Sequence, residues 1–527
     1  MKRILFLFTV IITVSVSSSV AQRRPQPVPE MEKPALEKVP GKKSDADIQF
    51  DPSSAVITRH STTVKGQKFN YTATTGTQPV WDKDGKTIAG LFYVYYTRDD
   101  VKDRANRPLI ISFNGGPGTG SVWMNIGFTG PRRLKIDNEG YPVQPYGVEE
   151  NPYSVLDVAD IVFVCPVNTG FSRIVDKNVP TSTFFGVNAD ITYLSEWISS
   201  FLSKNDRWES PKYLIGESYG TTRVSGLAWA LQSTQWVYLN GVILVSPTDL
   251  GIERAGAVKQ ANYLPFYAAT AWYHKALASD LQSKELEAML PEVENFTINE
   301  YIPALAKGGS ISDQEKMKVA EKVARYSGIS QKVVLQNNLF LDPAFFWKEL
   351  LRDRGFTVGR LDSRYLGIDK MDAGIKPDYN SELTSWLHSF TPAINTFLRN
   401  ELGYKTDNRY WMFGPVRPWD NTNDQTGDDL KKAMLSNPGL HLMVLSGYYD
   451  GACDYFNAKY SMWQINQNGK LKDRMEWHGY KSGHMMYLRS EDLITSNQVI
   501  RDFMEKSTPK KGQPTRYYDP KGTMEGK

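Results

Sequence analysis

Four short stretches of this chain are almost unbroken apolar runs, and they limit its fold more than any other feature. They are "LIISF" (109–113), "ADIVFV" (159–164), "KYLIG" (212–216) and "GVILVS" (241–246). Each is too short to be a helix buried on all sides, and each is bounded by glycine, proline or a helical pattern. Such runs are typical of parallel strands covered on both faces. Helical periodicity intervenes, as in "NADITYLSEWISSFLSK" (188–204). Strands alternating with helices through right-handed crossovers give an α/β fold with a doubly wound, mostly parallel sheet. Ahead of the runs, residues 69–96 alternate apolar and polar around "DKDGK", the pattern of a long hairpin.

The rhythm stops after "VSPTDL". Residues 251–437 carry mostly helical periodicity and no clear β run, and strands resume at "HLMVLSG" (441–447) and "RMEWHGY" (474–480) before a last helix, "SEDLITSNQVIRDFMEKS". The simplest division is one α/β core in two parts, 48–250 and 438–507, interrupted by a helical cap at 251–437. No internal repeat is visible.

The termini read differently. "MKR", the apolar "ILFLFTVIITVSV" and small residues before Ala21 form a signal peptide over residues 1–21, cut after Ala21. Residues 22–47 are rich in proline and charge and read as a disordered leader, and residues 508–527 as a flexible tail. The apolar run is short for a membrane span, so a periplasmic or secreted protein without stable membrane association is expected. Export with only Cys165 and Cys453 suits a bacterial periplasm better than a eukaryotic secretory route. Two N-x-T sequons, at Asn70 and Asn295, matter only in the second case. A formal charge of +4, from 62 basic and 58 acidic residues, makes no case for nucleic acid. Six scattered histidines and two cysteines offer no metal-ligand pattern, so no metal or cofactor is expected.

The chemistry centres on "YLIGESYGTTR", where Ser218 stands between Gly216 and Gly220 as a strand gives way to a helix. Glycines on both sides let the backbone turn sharply and hold a hydroxyl up as a nucleophile. A serine needs a base, and the base a carboxylate to orient it. Asp450 ends "VLSGYYD" at a strand tip, and His484 follows the final strand in "YKSGHMMY". Asp454 reads better as a helix start, and His478 falls inside a strand pattern. "FNGGPGTGS" follows the first core strand, and the N–H groups of Gly116 and Tyr219 are assigned as the oxyanion hole. Cys453 reads as a small buried hydrophobe, and a disulfide to Cys165 as improbable.

Taken together, "NGGPGTGS", "GFTGPRRL", "NPYSVLDVADIVFVCPVNTGFSR", "GESYGTTR", "SGYYD" and "SGHMMY" resemble the ordered signature of the serine carboxypeptidase family, in a bacterial-type version. The resemblance implies an α/β-hydrolase fold with a helical cap, an acyl-enzyme mechanism, and peptide substrates shortened from the C-terminus. It also implies that Asn114, Gly115 and Glu217 bind the free C-terminal carboxylate. Several positions depart from the family pattern. Phe128 stands where an acidic partner for the glutamate is common, and Ser112, Val164 and Asn168 replace Trp, Asp and Gly. Without a second carboxylate, desolvation is left to raise the Glu217 pKa. A secreted esterase or acyltransferase using the same triad stays open as an alternative, and a catalytically dead binding protein is a third. Oligomeric state is not legible.

Overall fold

In the computed structural model, residues 50–510 and 512–517 are described. The expected signal peptide, leader and tail end lie outside them, as does Lys511. Ten strands form one sheet: β1 (Ala55–Val64), β2 (Gln67–Trp81), β3 (Thr87–Arg98), β4 (Leu109–Phe113), β5 (Asp160–Val164), β6 (Arg173–Ile174), β7 (Lys212–Glu217), β8 (Gly241–Val245), β9 (His441–Gly447) and β10 (Met475–Tyr480). Their spatial order is β1-β2-β3-β5-β4-β7-β8-β9-β10, with β6 on the free end of β3. From β5 to β10 every neighbour is parallel, whereas β1, β2 and β3 form an antiparallel edge. The sheet is therefore mixed, mostly parallel, and wound in both directions from β4.

Side-chain alternation along each strand feeds two cores. Ile110, Phe163, Ile215, Ile243 and Met443 face one way, with Trp386 and Phe390 of the helix Ser381–Thr396 and Ile500 and Phe503 of the helix Ser490–Ser507. Ile111, Val162, Leu214, Leu244 and Val444 face the other way, against helices α1 (Val187–Lys204) and α2 (Tyr219–Thr234). Each such side chain, fully buried, contributes about 1.5–3 kcal/mol. Burial on both faces is why these strands read as continuous apolar runs.

β1 was absent from the sequence reading. From Ala55 to Ser61 its residues alternate between exposed and half-buried, and only Thr62 and Val64 are buried, so an edge strand has little apolar signal to give.

The stretch 251–437 does not pack as one body. Residues from Ala261 to Phe346 build their own helical core with Tyr448, Tyr449, Tyr455 and Phe456. The helix Thr426–Ser436 instead sets Leu430 and Ala433 against the sheet face that carries α2. The stretch also holds a small hairpin, Thr357–Val358 with Leu366–Gly367, where no β run was expected. It is too short for periodicity to reveal it. Part of the expected flexible tail is placed: the Tyr517 hydroxyl donates to the Leu435 carbonyl at 2.7 Å. Among the described residues, no helix is long and apolar enough to cross a membrane.

Candidate active site

Ser218 joins β7 to α2 with φ 57° and ψ −129°. A side-chain-bearing residue in that conformation costs about 1–3 kcal/mol and persists only where its surroundings impose it. Here they do. The Ser218 N–H donates to the Val245 carbonyl at 3.0 Å, and its carbonyl accepts the Thr221 N–H at 2.8 Å. A Cβ on Gly216 would stand 2.1 Å from the Gly220 oxygen, so only glycine permits the turn.

His484 and Asp450 meet at the ends of other strands. His484 Nδ1 lies 2.6 Å from Asp450 Oδ2. The remaining carboxylate oxygen accepts the N–H groups of Ala452 (2.9 Å) and Cys453 (3.0 Å). Asp450 is fully buried, and a buried carboxylate against Nδ1 fixes the proton there, leaving Nε2 as an acceptor. Burial pulls the imidazole pKa down, but the charge and hydrogen bond of Asp450, with the charge of Glu217, carry it above its ordinary value. The rivals take other roles. Asp454 caps the helix Tyr455–Ile465 by accepting the Asn457 N–H at 2.9 Å, and His478 sits within β10 beside Glu476. Both cysteines are free.

Ser218, His484, Asn114, Gly115, Gly116, Glu217 and Tyr219 line one cavity of about 370 Å³, together with Trp123, Arg360, Leu361, Trp386 and Cys453. Tyr219 is the first residue of α2, so its N–H has no intrahelical acceptor. Gly115 presses against the turn: a Cβ there would lie 2.4 Å from the Tyr219 nitrogen and 2.5 Å from the Glu217 oxygen. Asn114 Oδ1 accepts the Met124 N–H at 3.1 Å. Its Nδ2 is buried, near enough to Glu217 to favour the anion slightly, yet without a well-formed hydrogen bond. Burial pushes the Glu217 carboxyl up to about 7, against the pull of His484 and of the Tyr487 hydroxyl, and with help from the Asp450 charge.

A family model described as serine carboxypeptidase matches residues 66–500. The chain belongs to the serine carboxypeptidase family. It is 27% identical over 268 residues to serine carboxypeptidase-like 36 of Arabidopsis thaliana, covering 47% of this chain and 52% of that protein. It is 29% identical over 219 residues to the pheromone-processing carboxypeptidase kex1 of Neosartorya fischeri, covering 39% of this chain and 30% of that one. The chain thus spans about half the length, or less, of these curated relatives. The crystal structure of Kex1(delta)p, a prohormone-processing carboxypeptidase from Saccharomyces cerevisiae, superposes with a TM-score of 0.51 at 14% identity, covering 83% of this chain and 92% of that one. The fold is that of the α/β-hydrolases.

Against the family pattern, the structure explains Phe128. Its ring stacks on Tyr487 with centroids 4.6 Å apart, and the Tyr487 hydroxyl donates to Glu217 Oε2. A tyrosine hydroxyl thus stands beside the glutamate, its ring seated on Phe128. Tyr487 lies three residues beyond His484 in "SGHMMY", and no spacing rule marked it.

Two other residues escaped the sequence reading. Arg223 on α2 is fully buried, pairs with Asp190 at 2.7 Å, and donates to the carbonyls of Asn114 (2.7 Å) and Pro117 (3.3 Å). It ties the glycine loop to the helix that starts at the serine, and its only sequence signal is its place five residues after Ser218. Leu361 holds the histidine loop: its carbonyl accepts the His484 N–H at 2.6 Å, while the preceding carbonyl, of Arg360, accepts the Gly451 N–H at 2.9 Å. This strap, residues 359–363, comes from the inserted stretch, and Glu382 Oε1 fixes it by accepting the Leu361 N–H at 2.9 Å.

Proposed function

We propose that this protein is a serine-type carboxypeptidase that removes residues from the C-terminus of peptides. The neutral His484 takes the proton of Ser218 as its Oγ attacks the scissile carbonyl carbon. Asp450 holds the imidazole and stabilises the imidazolium. The oxyanion gathers at the N–H groups of Gly116 and Tyr219. His484 then protonates the departing amine, and water repeats the sequence to release the acyl group from Ser218. No step calls for a metal or cofactor.

The observation that carries this reading is Glu217, a buried carboxyl raised to about 7 in the cavity that holds Ser218. While protonated it donates to a carboxylate, and the unpartnered Nδ2 of Asn114 supplies a second donor. A receptor for a free C-terminus next to the nucleophile makes an exopeptidase. The printed names of the plant and fungal relatives agree with this chemistry.

We also read the protein as exported, on the strength of residues 1–21, and as bacterial, periplasmic or secreted, because it carries only two cysteines. Removal of those residues from the mature protein, seen as a new N-terminus after Ala21, is the check.

The function is tested in two steps. A fluorophosphonate should label the wild type, and Ser218→Ala should abolish labelling. A peptide with a free C-terminus should then be cleaved far faster than its C-terminal amide. Labelling elsewhere overturns the nucleophile, and equal rates on acid and amide favour an esterase or acyltransferase.

A further inference from the structure

The wall of the cavity contains a single Lys or Arg side chain, that of Arg360. It is exposed, and among the described residues its guanidinium has no hydrogen-bond or ion-pair partner. Four residues on, Arg364 shows the contrast: it is buried and paired to Asp362 at 2.6 Å. Arg360 is not loosely held either. Its carbonyl takes the Gly451 N–H, the next carbonyl takes the His484 N–H, and the Gly359 N–H donates to the Tyr365 carbonyl at 2.9 Å. An unpaired guanidinium on a main chain fixed to the loops of Asp450 and His484 is preorganised for an anion. Its charge is felt at His484 and at Cys453.

Asn114 and Glu217 mark where the leaving residue sits, if the proposed function holds. The cavity extends elsewhere as well. Thr248, Ala452 and Cys453 are shared with a neighbouring cavity of about 490 Å³, which gives the acyl portion of a peptide room to run. That neighbour carries Asp249, Glu253 and Asp454 as well as Arg254 and Lys259, so it offers no uniform charge. Among the described residues that line the Ser218 cavity, Arg360 is the one Lys or Arg, and it has no ion-pair partner.

We propose that Arg360 is a specificity residue that selects an acidic side chain on the acyl side of the bond attacked by Ser218. A carboxylate there completes a bidentate pair that the free enzyme lacks. This rests on the Ser218 reading, and its test is built to fail separately from the carboxypeptidase reading.

The probes are N-acylated amino-acid esters that share one alcohol and differ only in Glu, Gln or Lys as the acyl residue. Esters have no C-terminal carboxylate, so they report on Arg360 without Glu217. At pH 7 and low salt, kcat/KM for Glu should exceed that for Gln by about tenfold, with Lys lowest. Glu and Gln are nearly isosteric, so their ratio isolates charge, and a ratio within one variant is independent of the active fraction. Arg360→Gln should bring the Glu-to-Gln ratio to about one, and Arg360→Glu should favour Lys. Added salt should shrink the wild-type preference. No Glu preference in the wild type, or one that survives Arg360→Gln, overturns the proposal. Ester turnover without free-acid peptide cleavage sinks the carboxypeptidase reading and leaves the ratio readable. No ester turnover overturns both.

Discussion

Tyr487 lies flat on Phe128, the two ring planes within 10° of each other, and its hydroxyl donates to Glu217. An apolar residue at 128 therefore fits its neighbour. A phenylalanine seats a tyrosine, and the tyrosine supplies the polar contact. Donation to the carboxylate favours the anion and opposes burial. Tyr487→Phe removes that opposition, so the Glu217 carboxyl should rise further. The alkaline limb of kcat/KM for free-acid peptides should move to higher pH, while ester hydrolysis keeps its profile. A limb that stays put or moves down refutes the role given to the hydroxyl.

On the proposed function, Glu217 itself sets that limb. Below about 7 its carboxyl is neutral and can donate, and above about 7 it is an anion that would repel the carboxylate of a free-acid peptide. Free-acid peptide turnover should therefore fall as pH rises through neutrality. His484, held above its usual value, should set the acid limb, because as the proposed base it must be neutral to take a proton. The groups around it are Asp450, Glu217, Cys453 and Arg360. Glu217→Gln keeps a donor and removes the titration, so it should flatten the alkaline limb and leave the acid limb in place. Unchanged peptide profiles in the variant would remove Glu217 from substrate binding.

The Arg223–Asp190 pair is fully buried on both sides. Breaking it with Arg223→Met leaves an unpaired carboxylate and should cost about 3–5 kcal/mol in urea unfolding. Adding Asp190→Leu should recover much of that stability. Activity should not return with it, because the Asn114 and Pro117 carbonyls have lost their holder. Recovery of kcat together with stability would show that Arg223 serves the fold alone.

Gly115→Ala tests the approach of the glycine loop to the nucleophile turn. The added methyl would fall 2.4 Å from the Tyr219 nitrogen, and backbone on both sides must move apart. On the proposed mechanism this displaces an oxyanion donor, which should lower kcat by about 10²–10³-fold. KM for an ester should change much less, since the loss falls on the transition state. A kcat near wild type would mean that this close approach does not position the proposed oxyanion donors.

The parts of this protein that repeat or alternate were legible in its sequence. The core strands β4, β5, β7, β8 and β9 begin and end within a residue or two of their apolar runs, because burial on both faces leaves a local mark. The sharp turn at Ser218 was legible through its flanking glycines, and the placing of Asp450 and His484 beyond strand ends through the strand patterns before them. What stayed hidden depends on partners distant in the chain. Tyr487 matters through Phe128 and Glu217, Arg223 through Asp190 and two carbonyls, and Leu361 through a main-chain oxygen, which no side chain advertises. β1 was missed for a different reason: an edge strand half in water carries no continuous apolar signal.

The strap at residues 359–363 bears on how the protein is made. Ser218 leaves the ribosome early, on a turn bonded to β8 and to the first turn of α2. Asp450 and His484 come last, and their loops are seated by carbonyls of Arg360 and Leu361, which require the inserted stretch to be folded and docked. On the proposed mechanism, a nascent or half-folded chain thus holds a serine with no base. On that reading peptidase activity is the last property to be acquired, because the order of the sequence delivers the nucleophile well before its base.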